Sequence, residues 1–202
     1  MIGKRLGRGG FCTINEIIQI KLSGPAEDET SDRKHMSKNV IREGQPRYAI
    51  KMLRNDLSED YVVRGVMDLS LEAKFLAVFD HPHILKLRGV GASGYLQPDF
   101  FVLLDRLYNT LEDQCKKWRA KLNTKSIKKM MDVMGKQKKE FLCERMAVAY
   151  DIASAVNHMH ENKVLYRDLV RIIYFQRLES YLLQLLLYDS LLITLDLMCA
   201  VK

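Results

Sequence analysis

Tyr48-Ala49-Ile50-Lys51 is a short apolar run that ends in a lysine. Alone, such a tetrapeptide is common at the end of a strand. Its surroundings make it decisive. A glycine-rich stretch precedes it, Leu6-Gly7-Arg8-Gly9-Gly10-Phe11-Cys12-Thr13-Ile14, and a lone glutamate, Glu72, follows it. Glycine lets the main chain approach a ligand closely, so the first stretch reads as a hairpin whose backbone can lie over phosphates. A lysine on the next strand can reach those phosphates, and a glutamate on a later helix can hold the lysine in place.

Outward from this centre, residues 1–20 read as a hairpin with Phe11 at its tip and an apolar strand from Ile14 to Ile20. Residues 21–46 are polar and show neither a helical nor a strand period, so they are expected to form a long solvent loop inserted between two strands. Residues 47–53 form the lysine strand. Residues 59–79 are predicted to be a helix, because Val63, Val66, Leu69, Leu71, Phe75, Leu76 and Phe79 recur at roughly helical spacing. Glu72 falls within that apolar pattern, where a buried carboxylate is costly unless paired. Lys51 is the expected partner. His81-Pro82-His83-Ile84 then reads as a turn, since a proline forces the residue before it out of helical geometry. Two histidines flanking one proline, with no nearby Cys or Asp pair, make a poor metal site.

Phe100–Leu104 is an apolar run suited to a buried strand, and Asn109-Thr110-Leu111-Glu112-Asp113 resembles a capped helix start. Residues 116–139 hold ten Lys and Arg side chains against Asp132 alone, with Ile127, Met130, Met131 and Met134 on one helical face. Such a segment reads as a basic insert. Its binding reading is calmodulin or an acidic surface, while Trp118 alone among lysines is a poor platform for nucleic acid. Residues 141–160 carry Met146, Val148, Ala149, Ile152, Ala153, Val156 and Met159 in an amphipathic helical pattern, followed by Val164-Leu165-Tyr166-Arg167-Asp168-Leu169.

The composition of the 202 residues, 48% hydrophobic and 28% charged, is that of a globular chain of one domain or two small lobes. The net charge of +7 is compatible with an anionic ligand, an acidic partner or a membrane surface. Cys12, Cys115, Cys143 and Cys199 are widely spaced with no CxxC pair, which argues against a zinc site or a disulfide framework. With no apolar core in Met1-Ile2-Gly3-Lys4-Arg5 to make a signal peptide, the expected location is cytoplasmic, with the nucleus as the variant.

From Ile2 to Leu169 the order of these parts resembles the protein-kinase superfamily: glycine loop, strand lysine, helix glutamate, HPxI turn, apolar strand into a hinge, long helix, Arg-Asp-Leu. The resemblance implies an α+β fold with a five-stranded antiparallel N-lobe sheet and one main helix, then a partial helical C-lobe. Its implied boundaries are N-lobe 1–104, hinge 105–107 and C-lobe from 108. It implies that Leu6, Gly7, Arg8, Gly9, Gly10, Phe11, Cys12 and Ile14 form the nucleotide loop, with Cys12 at the place of the usual third glycine. Ile14 and Ala49 would close on the adenine ring, with Leu104 as gatekeeper and Asp105 to Leu107 as the hinge. Lys51 would bind the α- and β-phosphates, Glu72 would be its ion-pair partner, and Asp168 would be the catalytic base. The implied cofactors are ATP with magnesium, and the implied partner is a protein substrate. Tyr166, where most of the family has histidine, is shared with some serine/threonine kinases and points to a Ser/Thr acceptor.

The pattern departs after Leu169. Val170 stands where the family has a lysine for the transferred phosphate, and Ile173 where it has an asparagine for metal. Residues 170–202 contain neither Asp-Phe-Gly nor Ala-Pro-Glu, so the chain reads as truncated after Arg-Asp-Leu and inactive or nearly so by itself. Val170-Arg171 can also be encoded by the bases that open an intron, so this tail reads alternatively as translated intron. Its leucine-rich composition is interrupted by Glu179, Asp189 and Asp196, too often for a membrane span. A short packing helix is the expectation there.

Overall fold

The structure is a computed structural model and describes residues 1–21, 31–91, 94–123, 136–165, 174–178 and 180–184. Two units divide it. One holds Met1–Asp80 and Leu85–Arg106; the other holds His81–Ile84 and the described residues from Leu107 onward.

In the first unit, β1 (Ile2–Arg8) and β2 (Cys12–Ile17) form an antiparallel hairpin. The helix α1 (Ser31–Lys38) and the two-residue strands β3 (Ile41–Arg42) and β4 (Gln45–Pro46) follow, then β5 (Tyr48–Leu53). The helix α2 (Glu59–Val78) leads through the chain to β6 (Leu87–Val90) and β7 (Phe101–Asp105). The five longer strands make one antiparallel sheet in the order β1-β2-β5-β7-β6.

Register decides which side chains share a face, because directly paired residues project to the same side of a sheet. Ile14, Lys51 and Val102 form one row across β2, β5 and β7; Glu16, Ala49 and Leu104 form the next. The opposite face is an apolar layer of Ile17, Tyr48 and Ile50, flanked by Met52, Phe101 and Leu103. α2 buries Val66, Leu69, Glu72, Ala73 and Leu76 at helical spacing. It has Glu59 and Asp60 in its first turn, where the helix dipole favours negative charge. It ends at Phe79, which is extended, before the Pro82 turn.

The solvent loop expected over 21–46 is corrected within 31–46. α1 and the β3–β4 hairpin occupy that stretch, and they cover the second face of the sheet: Val40 is buried with Ile17, Tyr48 and Ile50, and Met36 packs against them. The main-chain N–H of Arg47 donates to Val40 O at 2.7 Å, and Ser37 Oγ donates to Ile20 O at 2.9 Å. The β3–β4 turn is Glu43-Gly44, with φ of 52° and 74°, the paired positive φ values of a two-residue type I′ hairpin. The unit therefore carries a second, short helix beside the one main helix. Residues 22–30 of that expected loop lie outside the described residues.

In the second unit, β8 (Asn109–Thr110) leads into α3 (Leu111–Asn123), and α4 (Lys136–Glu161) is the long helix. Thr110 and Asp113 cap α3 reciprocally: Asp113 N–H donates to Thr110 Oγ1 at 3.0 Å, and Thr110 N–H to Asp113 Oδ2 at 3.3 Å. Trp118 and Val148 form the core between α3 and α4, with Leu111, Cys115, Phe141 and Ile152 around them. The basic insert expected at 116–139 is corrected at both ends. Residues 116–123 belong to α3 and 136–139 to α4, and Trp118 is a buried anchor that meets Phe141 edge-on at 6.3 Å. The amphipathic methionine face at 127–134 lies outside the described residues.

The packing helix expected after Arg171 is corrected within 174–184, and residues 185–202 of that tail lie outside the described residues. Tyr174–Leu178 and Ser180–Gln184 are strands, β9 and β10, which pair with β8 in the order β10-β9-β8. Tyr174, Phe175 and Tyr181 are strand-favouring aromatic residues within that leucine-rich stretch. Among the described residues, no helix is long and apolar enough to cross a membrane.

Candidate functional site

The site is built on the sheet face that carries Lys51. Lys51 Nζ donates to Glu72 Oε2 at 2.6 Å, and the two side chains are only 8% and 6% exposed. β5 supplies the lysine from the middle of the sheet. α2 supplies the glutamate from a buried position three residues after Leu69. The burial of both charges makes the pair geometrically demanding, because each ion loses its water and retains the other as a counter-charge. Asp68, one turn earlier on α2, is half-buried. Burial pushes its carboxyl up from the ordinary value, and the Lys51 ammonium opposes that rise.

Of the adenine-side expectations, Ile14, Ala49 and Leu104 fall on the same face, whereas Asp105 pairs with Tyr48 and so projects to the opposite one. Ile14 and Ala49 are buried in adjoining rows, and Leu104 pairs with Ala49 in register. Asp105 ends β7. Its carboxylate is taken by Arg88 of β6 through a two-pronged contact, Nε to Oδ1 and Nη2 to Oδ2, both at 2.7 Å. That bond raises the Arg88 guanidinium further above its ordinary value. Arg106 is buried beside it, with Nη1 3.1 Å from Glu16 Oε2 and its main-chain N–H donating to Arg47 O at 2.8 Å. Leu107 is buried in the second unit. Asp168, the expected catalytic base, lies outside the described residues with Tyr166, Arg167 and Leu169.

The glycine stretch spans the end of β1, a tight turn and the start of β2. Leu6, Gly7 and Arg8 are in β1, and Cys12 and Ile14 in β2. Gly9 N–H donates to Cys12 O at 2.8 Å, which closes the turn. Beside Gly10 there is open space: a Cβ there would meet nothing within 4 Å. Phe11 at the tip packs on α2, where Gly65 makes room; a Cβ on Gly65 would lie 2.9 Å from Phe11 Cβ and 2.6 Å from Leu53 Cδ2. The Phe11 and Tyr61 rings are 6.0 Å apart.

Arg54, Gly65 and Glu16 are absent from the sequence reading of the site, and Arg106 enters it only as part of the hinge stretch Asp105 to Leu107. Arg54 Nη1 donates to Gly9 O at 3.3 Å and to Gly10 O at 2.7 Å. The arginine directly after a lysine strand was the only local signal, and it gives no direction by itself. Arg106 and Glu16 are ninety positions apart, and only the sheet register joins them.

His81 and His83 belong to the second unit, where they pack on α4. His83 Nε2 is 3.3 Å from Asp151 Oδ1, His81 Nε2 is 3.1 Å from Ser154 Oγ, and His81 stacks on His158 at 5.0 Å. Among the described residues, no group of three His, Cys, Asp or Glu side chains could hold a metal ion.

A five-stranded antiparallel sheet with a glycine hairpin at one edge, a central-strand lysine and a helix glutamate paired to it defines the small lobe of a protein kinase. The family described as protein tyrosine and serine/threonine kinase matches residues 1–172, and the chain belongs to it. Among curated proteins none matches. Family membership makes this a protein-kinase chain of the transferase class.

Proposed function

We propose that this chain binds ATP on the Lys51 face of the first unit's sheet, and that the reaction of its line is phosphoryl transfer from ATP to Ser or Thr hydroxyls of proteins. The observation that carries the reading is the 2.6 Å Lys51–Glu72 pair. An oriented ammonium beside a glycine turn suits two neighbouring phosphates, because phosphoryl transfer depends on positioning and on neutralising charge. In this reading Leu6 to Ile14 cover the phosphates, Ile14, Ala49 and Leu104 border the adenine, Asp105 to Leu107 form the hinge, and Asp168 accepts the substrate hydroxyl proton. The small lobe is assigned to 1–104 and the start of the large lobe to residues from 108. Tyr166 supports the Ser/Thr acceptor. The widely spaced cysteines support a reducing compartment, cytoplasm or nucleus.

Magnesium, which the family uses to neutralise the phosphate oxygens, is poorly served by the residues present. The asparagine position holds Ile173, a hydrocarbon with no donor, and Val170 cannot replace a lysine. No step is therefore assigned through the metal, and the chain is expected to transfer phosphate weakly or not at all by itself. The same two residues favour a second reading: a nucleotide- or partner-binding module that performs no transfer. One experiment separates the two. Purified chain is incubated with magnesium and labelled ATP, alone and with a mixed protein acceptor, beside an Asp168→Asn control. Label on serine or threonine that disappears in the control supports the enzyme. Displacement of a fluorescent ATP analogue by ATP, without any Asp168-dependent label, supports the binding module.

A further inference from the structure

The glycine turn is gripped from one side by a single arginine. The Arg54 side chain donates to the carbonyls of Gly9 and Gly10, at 3.3 Å and 2.7 Å, and its main-chain N–H donates to Phe11 O at 2.9 Å. The rest of the guanidinium is fixed by Asp56: Nε donates to Oδ1 at 2.9 Å and Nη2 to Oδ2 at 2.8 Å. Arg8, at the end of β1, donates to the same Asp56 Oδ2 at 2.5 Å. A planar guanidinium held by a fork of this kind has a set direction, unlike a flexible ammonium. Contact with two arginines, Arg54 foremost, holds the Asp56 carboxyl well below the usual carboxylate range, so this anchor stays ionised at neutral pH.

The direction of the grip follows from the strand. Side chains alternate along β5, with Lys51 and Leu53 on one face and Met52 on the other. Arg8 pairs with Thr13 and Thr13 with Met52, so Arg8 projects to the Met52 side, and the Asp56 that it shares with Arg54 sets the fork on that side. In a trans peptide the carbonyl of one residue and the N–H of the next point in opposite directions. Drawing the Gly9 and Gly10 carbonyls toward Arg54 therefore turns the N–H groups of Gly10 and Phe11 toward the Lys51 face. Successive N–H groups aimed to one side form a concavity suited to an anion.

We propose that Arg54 is a positioning residue for a phosphate group bound at the glycine turn: by holding the Gly9 and Gly10 carbonyls it aims the Gly10 and Phe11 amides at the anion. The inference rests on the nucleotide reading above and adds a residue to it. Arg54 touches no ligand in this scheme, and its effect passes through the loop.

The test measures affinity for ATP and for adenosine, which lacks phosphates, by calorimetry on the full chain. Arg54→Gln is expected to weaken ATP about tenfold while leaving adenosine within about twofold, since only the phosphate end loses aligned donors. Arg54→Lys, able to reach one carbonyl but not to fork with Asp56, is expected to fall between. In amide-resolved NMR, the Gly10 and Phe11 signals of the wild-type chain shift with ADP and those of Arg54→Gln shift less. Unchanged ATP affinity in a folded Arg54→Gln variant overturns the proposal. So does equal weakening of ATP and adenosine, which marks a merely structural role. If Arg54→Gln does not fold, Asp56→Asn, which frees one edge of the guanidinium, carries the same comparison. Failure of the wild-type chain to bind either ligand overturns the nucleotide reading itself, a result distinct from the other two.

Discussion

Lys51 and Glu72 form an ion pair between the central strand and the main helix of the first unit, with Nζ and Oε2 2.6 Å apart and both side chains more than nine-tenths buried. A buried pair of this kind contributes little over a hydrophobic pair of the same shape, yet breaking it is costly, because one charge is left without its counter-charge in a medium of low polarity. Lys51→Met alone is expected to lower unfolding stability by about 3 kcal/mol, and Lys51→Met with Glu72→Leu to recover much of it. Urea unfolding of the three chains checks this. Equal stability of wild type and the single variant contradicts it.

The Glu16–Arg106 pair joins β2 to the end of β7 on the same sheet face, with side chains 12% and 7% exposed. Gly3 makes the room: a Cβ there would lie 2.6 Å from Glu16 Cγ and 2.8 Å from Oε1, while Lys4 N–H donates to Oε1 at 3.2 Å. Gly3→Ala must displace the carboxylate, and Arg106→Met removes its cation. Both are expected to lower the thermal midpoint, Arg106→Met by the larger amount, about 2–3 kcal/mol in unfolding free energy. Adding Glu16→Leu to Arg106→Met is expected to restore part of the loss.

Gly65 carries a conflict between helix propensity and packing. Alanine in a helix interior gains about 1 kcal/mol over glycine. Here its Cβ would stand 2.9 Å from Phe11 Cβ and 2.6 Å from Leu53 Cδ2. Overpacking of that kind costs about 1–3 kcal/mol, so the clash outweighs the propensity. Gly65→Ala is expected to destabilise modestly and to displace Phe11 from α2, visible as a loss of Phe11–Tyr61 ring contacts in NMR.

His81 supplies a pH dependence. Burial first, then the neighbouring His158 and His83, push its imidazole down from the ordinary value, while Asp151 opposes them. Its ring also accepts the His83 main-chain N–H at Nδ1, at 3.2 Å, which the protonated ring cannot do. The folded chain therefore binds fewer protons here than the unfolded chain. Stability from this group is present above the unfolded value of about 6.5 and is lost as pH falls through the lower folded value. Asp151 is raised, by burial first with His83 and His81 opposing, so its contribution is present below the ordinary carboxylate value and lost as pH rises through its folded value. The thermal midpoint is expected to fall between pH 7 and 5, and His81→Gln, which retains a donor for Ser154, to flatten that fall. An unchanged slope in the variant contradicts the assignment.

The parts legible in the sequence are those whose signal is local. Tyr48-Ala49-Ile50-Lys51 is a strand because its apolar run is short and bounded, and α2 shows its period over five turns. The missed parts depend on distant partners. α1 is polar except for Met36, so it has no period of its own, and Met36 with Val40 finds its core on the sheet. Trp118 sits in a lysine run, and its partners Phe141 and Val148 are on another helix. Arg54 reads as a surface charge after a strand until the hairpin folds over it. Glu16 and Arg106 are ninety positions apart, and only the sheet register brings them together.

The central claim is that the Lys51–Glu72 face binds ATP, and thermal denaturation with and without ATP tests it most directly. The expected result is an ATP-dependent rise in the wild-type midpoint that Lys51→Met abolishes while the variant remains folded. No rise in the wild-type chain, or an equal rise in Lys51→Met, would contradict it.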